Sequence, residues 1–488
     1  MKRRFTLLLV LFSASAAFAR GPKYQKPEVS VPQNWQAPAP WREAAPKDSI
    51  AKGAWWTLFA DPELNQFEER ALANNQSLKA AVARLAEARA FARISSANLY
   101  PQLNVAPSAE RERLSGNRPT VGSTAVTTPV TQNIFQIPFD LNYELDLFGR
   151  VRRGVEAANE SYQASAADLE NVRLTITSEL AADFFLLREL DAEMAVVRKA
   201  IDYEQKGLQV VENRHTGGAA SGLDVAQQQT LLDSSTAQLA LLQQQRDQFQ
   251  HALAVLQGLP ASFFVAPVRA LNVEPPAVPL LLPSELLERR PDVAEAERNV
   301  AAANARIGVA RAALYPSISI LGLGGYESRD ATSLLNASST FWSLGLSALQ
   351  PLLNGGRNRA VLENARATHE ETAANYRESV LVAFQQVEDA LSGLNALSTA
   401  YVSQRRAVDD ATRTLTLANA RYSGGLVTYL DVVTAQEQLL TNERLATQIL
   451  GQRLVSSVLL VKALGGGWDS TSLAAVRVKP SLKQAVQP

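Results

Sequence analysis

The chain has 488 residues, 48 basic against 48 acidic side chains, three histidines and no cysteine. Nothing in that balance suggests nucleic-acid binding, and without thiols there is no disulfide, thiolate metal site or cysteine nucleophile. No later apolar run reaches the ~18 residues a membrane-spanning helix needs.

Residues 1–19 read as a secretory leader: Met1-Lys2-Arg3-Arg4 is basic, Phe5 to Phe12 is apolar, and Ala17-Phe18-Ala19 is a small-residue cleavage site. Its loss removes three basic residues and leaves 45 against 48 acids. Residues 20–60 are rich in proline and tryptophan, which suggests an extended arm lying on another surface. Asp61-Pro62 then opens a helix, with Pro62 suited to its first turn, running through an alanine-rich stretch to about Ala97.

The period changes next. Phe135, Ile137, Phe139, Leu141, Tyr143 and Leu145 alternate with Gln136, Pro138, Asp140, Asn142 and Glu144, which is a strand with one greasy and one polar face. Gln102 to Ser108 alternates more weakly, and a Gly/Thr/Pro/Ser-rich loop over residues 114–131 separates the two. From Gly149 to Gly258 there is no proline, and Leu187, Leu190, Met194, Val197 and Ile201 recur at alternating steps of three and four. That period packs one helix seam against a neighbour. The pattern breaks once, at Thr216-Gly217-Gly218-Ala219-Ala220-Ser221-Gly222, so the stretch is a helical hairpin whose first arm is roughly 100 Å long.

The same object occurs twice. At a shift of 207 residues Arg150 falls on Arg357, Arg214 on Arg421, Gly217-Gly218 on Gly424-Gly425, Leu223-Asp224-Val225 on Leu430-Asp431-Val432, and Gly258 on Gly465. Strands duplicate too: Ser317 to Tyr326, then Phe341 to Leu349 with Trp342, Leu344, Leu346 and Ala348 on one face. Leu286 to Ala313 reads as a further helix. The divisions expected are an arm (20–60), a first repeat (61–283), a second repeat (284–464) and a tail (465–488).

Alternating strands fit either a soluble sandwich or an outer-membrane barrel. The leader, and the splicing of each strand pair between very long helices, favour the barrel. A barrel needs at least about eight strands and this chain supplies four, so several copies must share one. An enzyme is disfavoured: His215, His251 and His369 lie far apart, with no ligand spacing, and no glycine-rich phosphate loop follows a strand.

Trp55-Trp56-x-x-Phe59-x-Asp61-Pro62-x-Leu64, Arg289-Arg290-Pro291-Asp292-Val293, Leu314-Tyr315-Pro316 and Pro351-Leu352-Leu353-Asn354-Gly355-Gly356-Arg357 resemble, in order, the junctions of the outer membrane factor family, the TolC-like and OprM-like efflux ducts. The resemblance implies a mostly α protein with a β-barrel part. It would be a homotrimer closing a twelve-stranded barrel in outer-membrane lipid above a periplasmic helical tunnel. The implied partners are a periplasmic adaptor (membrane fusion protein) and an inner-membrane transporter, often of the resistance-nodulation-division type; no cofactor or nucleic acid is implied. Gly21-Pro22-Lys23-Tyr24-Gln25-Lys26-Pro27 looks like the lipoprotein branch, but Arg20 stands where a lipidated cysteine is expected, so ordinary cleavage after Ala19 is predicted.

By motif position, the resemblance makes Asp224 and Asp431 acidic gate residues, Tyr422 a partner of the first hairpin's aspartate, and Leu430 an apolar constriction. Gly217, Gly218, Gly424 and Gly425 become adaptor-contacting tips. Two departures, Val427 and Thr434, point to one acidic ring from Asp431 rather than two. The local reading of the same residues is plainer: Ser221-x-x-Asp224 and Thr428-x-x-Asp431 are capping boxes that start the return helices, and the glycines are turns. The two readings are compatible. A soluble periplasmic coiled-coil adaptor or scaffold would share the hairpins, but would not need Phe135–Leu145 duplicated at Phe341–Leu349.

Overall fold

The computed structural model describes residues 21–32, 35, 53–116, 128–278 and 283–478. The leader expected over residues 1–19, and parts of the arm, of the 114–131 loop and of the tail, lie outside the described residues. The helices are α1 (Pro62–Asn74), α2 (Gln76–Ala97), α3 (Arg150–Thr216), α4 (Gly222–Leu256), α5 (Pro283–Arg289), α6 (Pro291–Ala312), α7 (Arg357–Ser423) and α8 (Tyr429–Ala463). The strands are β1 (Gln102–Val105), β2 (Ser108–Leu114), β3 (Val130–Leu145), β4 (Ser317–Ser328) and β5 (Thr340–Leu349).

The long arms α3 and α7 have 67 residues each, roughly 100 Å. Two helices expected to be continuous are interrupted. Asn75 ends α1 and caps α2, its Oδ1 accepting from Leu78 N–H at 3.0 Å. Pro291 holds Arg290 in an extended conformation, so α5 stops and α6 restarts with proline in its first turn. The first strand is also split, at Ala106-Pro107. The break lies opposite Pro138, a proline in the middle of β3 that donates nothing to the ladder, and Ala106 N–H bonds to Pro138 O at 3.3 Å instead.

The strands form one antiparallel sheet in the order β1/β2–β3–β4–β5, with β1 and β2 pairing in turn along β3. Among the described residues its outer strands have free edges. The helices repeat that order. Near the sheet they run α2–α3–α6–α7, and toward the hairpin tips α4–α3–α8–α7, so the layer is four helices wide throughout. No described helix is long and apolar enough to cross a membrane.

The register puts Leu103, Val105, Ile137, Phe139, Leu141, Ile320, Tyr326, Trp342, Leu344 and Leu346 on one face of the sheet. Trp342, Leu344 and Leu346 are 82%, 69% and 75% exposed, which leaves a greasy face uncovered among the described residues. From Phe135 to Leu145 this face runs about 33 Å along β3, or about 25 Å vertically at the usual barrel tilt.

The main core sits at mid-length of the long arms. Trp55, Trp56, Phe59, Phe67, Phe184, Phe185 and Phe264 cluster there, and Trp55 Nε1–H donates to Thr177 Oγ1 at 3.2 Å. Beside them lies a buried ion cluster. Asp191 accepts from Arg188 and Arg246 at 2.6 Å each, and Arg188 also pairs with Glu63 at 2.7 Å. Arg188 and Arg246 donate to the carbonyls of Pro267 and Ala266, tying the proline-rich connector to α3. The described start of the chain lies along α3 and α6: Arg153 and Asn304 bind the Gly21 and Pro22 carbonyls, and Lys26 pairs with Glu297 at 3.0 Å.

Candidate functional site: the paired hairpin tips

Each arm ends in a left-handed glycine turn. Ala219 N–H reaches Arg214 O at 2.7 Å and Gly218 N–H reaches His215 O at 2.9 Å; the second tip repeats this with Leu426 to Arg421 and Gly425 to Tyr422. That pattern needs positive φ at one residue, and Gly218 (76°) and Gly425 (69°) supply it. Gly217 and Gly424 have φ of −78° and −82°, which any residue adopts. The turn therefore requires only the second glycine of each pair.

Both return helices begin with the expected capping boxes. Asp224 Oδ2 accepts from Ser221 N–H at 2.9 Å, and Asp431 Oδ2 accepts from Thr428 N–H at 3.0 Å and Thr428 Oγ1–H at 2.7 Å. Asp431 is exposed and Asp224 half-buried, so capping leaves the Asp431 charge facing outward. Leu430 is 52% exposed beside it, as is Leu223 (65%) on the first tip.

Tyr422 departs from the expectation. Its hydroxyl makes no hydrogen bond to Asp224 within the protomer, because the capping box engages that carboxylate and the Tyr422 ring is held elsewhere. Arg214 sits 4.7 Å from its centroid and Tyr429 packs at 5.0 Å. Tyr422 thus links the hairpins through ring contacts.

The residue that joins the hairpins by a buried hydrogen bond is Tyr429, which the motif comparison did not single out. Its hydroxyl donates to Gln228 Oε1 at 2.8 Å, and Gln228 Nε2–H donates to Glu204 O at 2.9 Å. Gly207 lets this pair approach, since a Cβ there would lie 3.2 Å from Gln228 Nε2 and 3.3 Å from the Tyr429 hydroxyl. Burial pushes the Glu204 carboxyl up, the Ser235 hydroxyl partly offsets this, and Glu437 adds to it. A signal was present in the duplication: Tyr429 falls on Gly222, Gln228 on Ala435 and Glu204 on Ala411. Farther up, Asn419 donates to Tyr203 at 2.8 Å, Lys199 meets Glu443 at 3.2 Å and Arg444 meets Glu193 at 2.7 Å.

An open sheet with an uncovered greasy face, set on a four-helix layer that ends in two polar-linked tips, is the architecture of an outer-membrane efflux channel subunit. The chain belongs to the outer membrane efflux protein family, whose model matches residues 68–259 and again 282–466. It is 36% identical to the pyoverdine export outer membrane protein OpmQ of Pseudomonas aeruginosa over 438 residues, 89% of this chain and 92% of that protein. It is 31% identical to the cation efflux system protein CusC of Escherichia coli, over 95% of this chain and 98% of that one. Among solved structures, the outer-membrane channel OprN superposes with a TM-score of 0.85 at 28% identity, covering 92% of this chain and 99% of that chain. The Campylobacter jejuni CmeC outer membrane channel superposes at 0.86 and 25% identity, covering 93% and 96%. The protein is therefore an efflux channel of the outer membrane and periplasm.

Proposed function

We propose that three copies close a twelve-stranded barrel in the outer membrane above a continuous helical tunnel. Through it, drugs or other small molecules pass from an inner-membrane pump, of the resistance-nodulation-division type, and a periplasmic adaptor to the exterior. The observation that carries this is the shared pair of edges. The sheet stops at β1/β2 and at β5, and the helix layer stops at α2 with α4 and at α7, on the same two sides. Free strand edges are a liability unless paired. Apolar side chains lie exposed on these outermost helices: Val82, Phe91 and Ile94 on α2, Val361 and Leu381 on α7. A next copy laid edge to edge would pair the strands and bury these side chains together.

Passage is passive in this reading, and closure lies at the tips. Three copies of Asp431, capping their own helices and facing one axis, form a cation-favouring ring with Leu430 beside it. Opening means swinging the second hairpin (α7–α8) away from the first (α3–α4) and breaking the Tyr429–Gln228 and Arg214–Tyr422 links. The tip glycines Gly217, Gly218, Gly424 and Gly425 are the adaptor contact. The names of relatives cover pyoverdine, cations and toluene, so one duct architecture accompanies very different cargo and the choice falls to the pump.

The test is the protein mass of the detergent-extracted membrane fraction, by light scattering corrected for bound detergent. About three chains is expected, since the proposed barrel takes three sets of four strands and a single chain has too few to close one. A monomer or dimer recovered without detergent would overturn the reading in favour of the soluble scaffold.

A further inference from the structure

Above the greasy band the β2–β3 ribbon carries charges sorted by face. Register pairs Ala109 with Phe135, the last apolar residue of the band, and then Arg111 with Asn133 and Arg113 with Thr131. Arg111 and Arg113 therefore share the face of Phe135, Phe139 and Trp342, while the intervening Glu110 and Glu112 share the opposite one. Both arginines are exposed and neither makes an ion pair or a side-chain hydrogen bond among the described residues, whereas Glu112 accepts from Gln132. Like charges on one strand face repel, and no carboxylate on that face offsets them.

Height narrows the partner. Two residues along a strand rise about 7 Å, or about 5 Å vertically at barrel tilt, so Arg111 stands about 5 Å and Arg113 about 10 Å above the apolar edge. The headgroup layer of a bilayer begins at that edge and is roughly 5–7 Å deep, so Arg111 lies inside it and Arg113 just above it, its long side chain able to reach back down. Guanidinium is the side chain suited to bidentate phosphate recognition. From this sorting and this height we infer that Arg111 and Arg113 bind the phosphorylated headgroups of outer-leaflet lipid, making a cationic collar around the barrel. The inference rests on the proposed barrel, whose greasy face points to lipid. Glu110 and Glu112 on the lumen side keep the exit polar without competing for those arginines.

The test uses the full-length protein in detergent, incubated with phosphorylated lipid A and, separately, with the same lipid stripped of phosphate. Bound lipid is counted by native mass spectrometry. At about a factor of five for each cation near an anionic surface, R111Q/R113Q is expected to bind the phosphorylated lipid roughly 30-fold more weakly. R111K/R113K is expected to restore the charge-dependent part of the binding but not the bidentate part, and so to fall between the two; E110Q/E112Q is expected to match wild type, and removal of phosphate to reproduce the loss. Equal retention by wild type and R111Q/R113Q overturns the inference. So does equal binding of the dephosphorylated lipid, or complete displacement by millimolar inorganic phosphate, which would make this a free-anion site. An effect confined to E110Q/E112Q would show the acidic face pointing outward. The oligomer mass of the same samples separates the two readings: a wild type of about three chains without arginine-dependent lipid leaves the barrel standing and removes only the collar.

Discussion

The paired glycines at each tip have separable roles. At Gly218 and Gly425 the backbone is left-handed, and an L side chain there costs about 1–2 kcal/mol. At Gly217 and Gly424 it is right-handed, and an added Cβ would meet carbonyl oxygens and, at Gly424, the Leu426 side chain, all at ordinary contact, no nearer than 3.4 Å at Gly217 and 3.6 Å at Gly424. Alanine at these two positions is expected to change tip stability by less than about 0.5 kcal/mol. The readout is amide exchange at Ala219 and Leu426, whose N–H groups close the two turns. Gly218→Ala and Gly425→Ala should accelerate exchange about 5- to 30-fold at the altered tip, and Gly217→Ala and Gly424→Ala should leave it unchanged. Equal exchange in the two pairs would refute the turn assignment. Since the turn does not require Gly217 and Gly424, any demand for a bare backbone there comes from outside the protomer. Gly217→Leu and Gly424→Leu are therefore expected to abolish efflux in cells with pump and adaptor present while leaving exchange intact. Normal efflux in both would remove these two glycines from the adaptor contact.

Asp431→Ala is expected to raise single-channel conductance and reduce cation preference, while weakening its capping box by about 1 kcal/mol; unchanged conductance and selectivity would sink the acidic ring. Tyr429→Phe keeps the ring against Tyr422 but leaves Gln228 Oε1 without its donor, a cost of about 1–3 kcal/mol to the closed tip. Longer open dwell times in planar bilayers are expected, and dwell times like wild type would mean that Tyr429 does not hold the gate. Burial, with Glu193 nearby, pushes the Glu189 carboxyl up from 4.5 to about 8. Its contribution to stability is then full below the ordinary carboxylate range and is lost as pH rises through about 8. Glu189→Gln should make the fall of the urea midpoint between pH 5 and 8.5 shallower, with Asp183 (raised to about 6) and Glu295 (raised to about 7) keeping the remainder, and a slope as steep as wild type would rule Glu189 out as a source.

Elements that depend on neighbouring residues were legible in the sequence. The hairpins follow from heptad spacing, the capping boxes from Ser221 and Thr428 three residues before aspartate, and the greasy strand face from strict alternation. The missed breaks at Asn75 and Arg290 were local too. Asn75 is a capping residue and Arg290 precedes a proline, but alanine-rich and apolar surroundings masked both. What could not be read is what tertiary packing assembles. Glu63, Arg188, Asp191, Arg246 and Arg269 form one ion cluster from four separate segments. The Tyr429–Gln228 bond likewise spans 201 residues.

The duplication is most informative where its copies differ. Arg188 and Asp191, which tie the first arm to the connector, fall on Asn395 and Ser398 in the second arm. Removing one member of such a buried cluster from the first arm leaves uncompensated charge, at a cost of about 3–5 kcal/mol, so that arm is strongly held. The second arm has no counterpart, and Glu204, Gln228 and Gly222 give way there to Ala411, Ala435 and Tyr429. Its polar links to the first hairpin are single hydrogen bonds, ion pairs with an exposed or half-exposed partner, and one cation–ring contact, each worth about 1 kcal/mol, beside a small apolar cluster of Val211 and Leu231 with Leu415, Val432 and Val433. Two hairpins of equal length and turn chemistry are thus unequally anchored. If one swings to open the duct, packing favours the second, because its attachments can break singly while the ion cluster on the first must come apart as a unit.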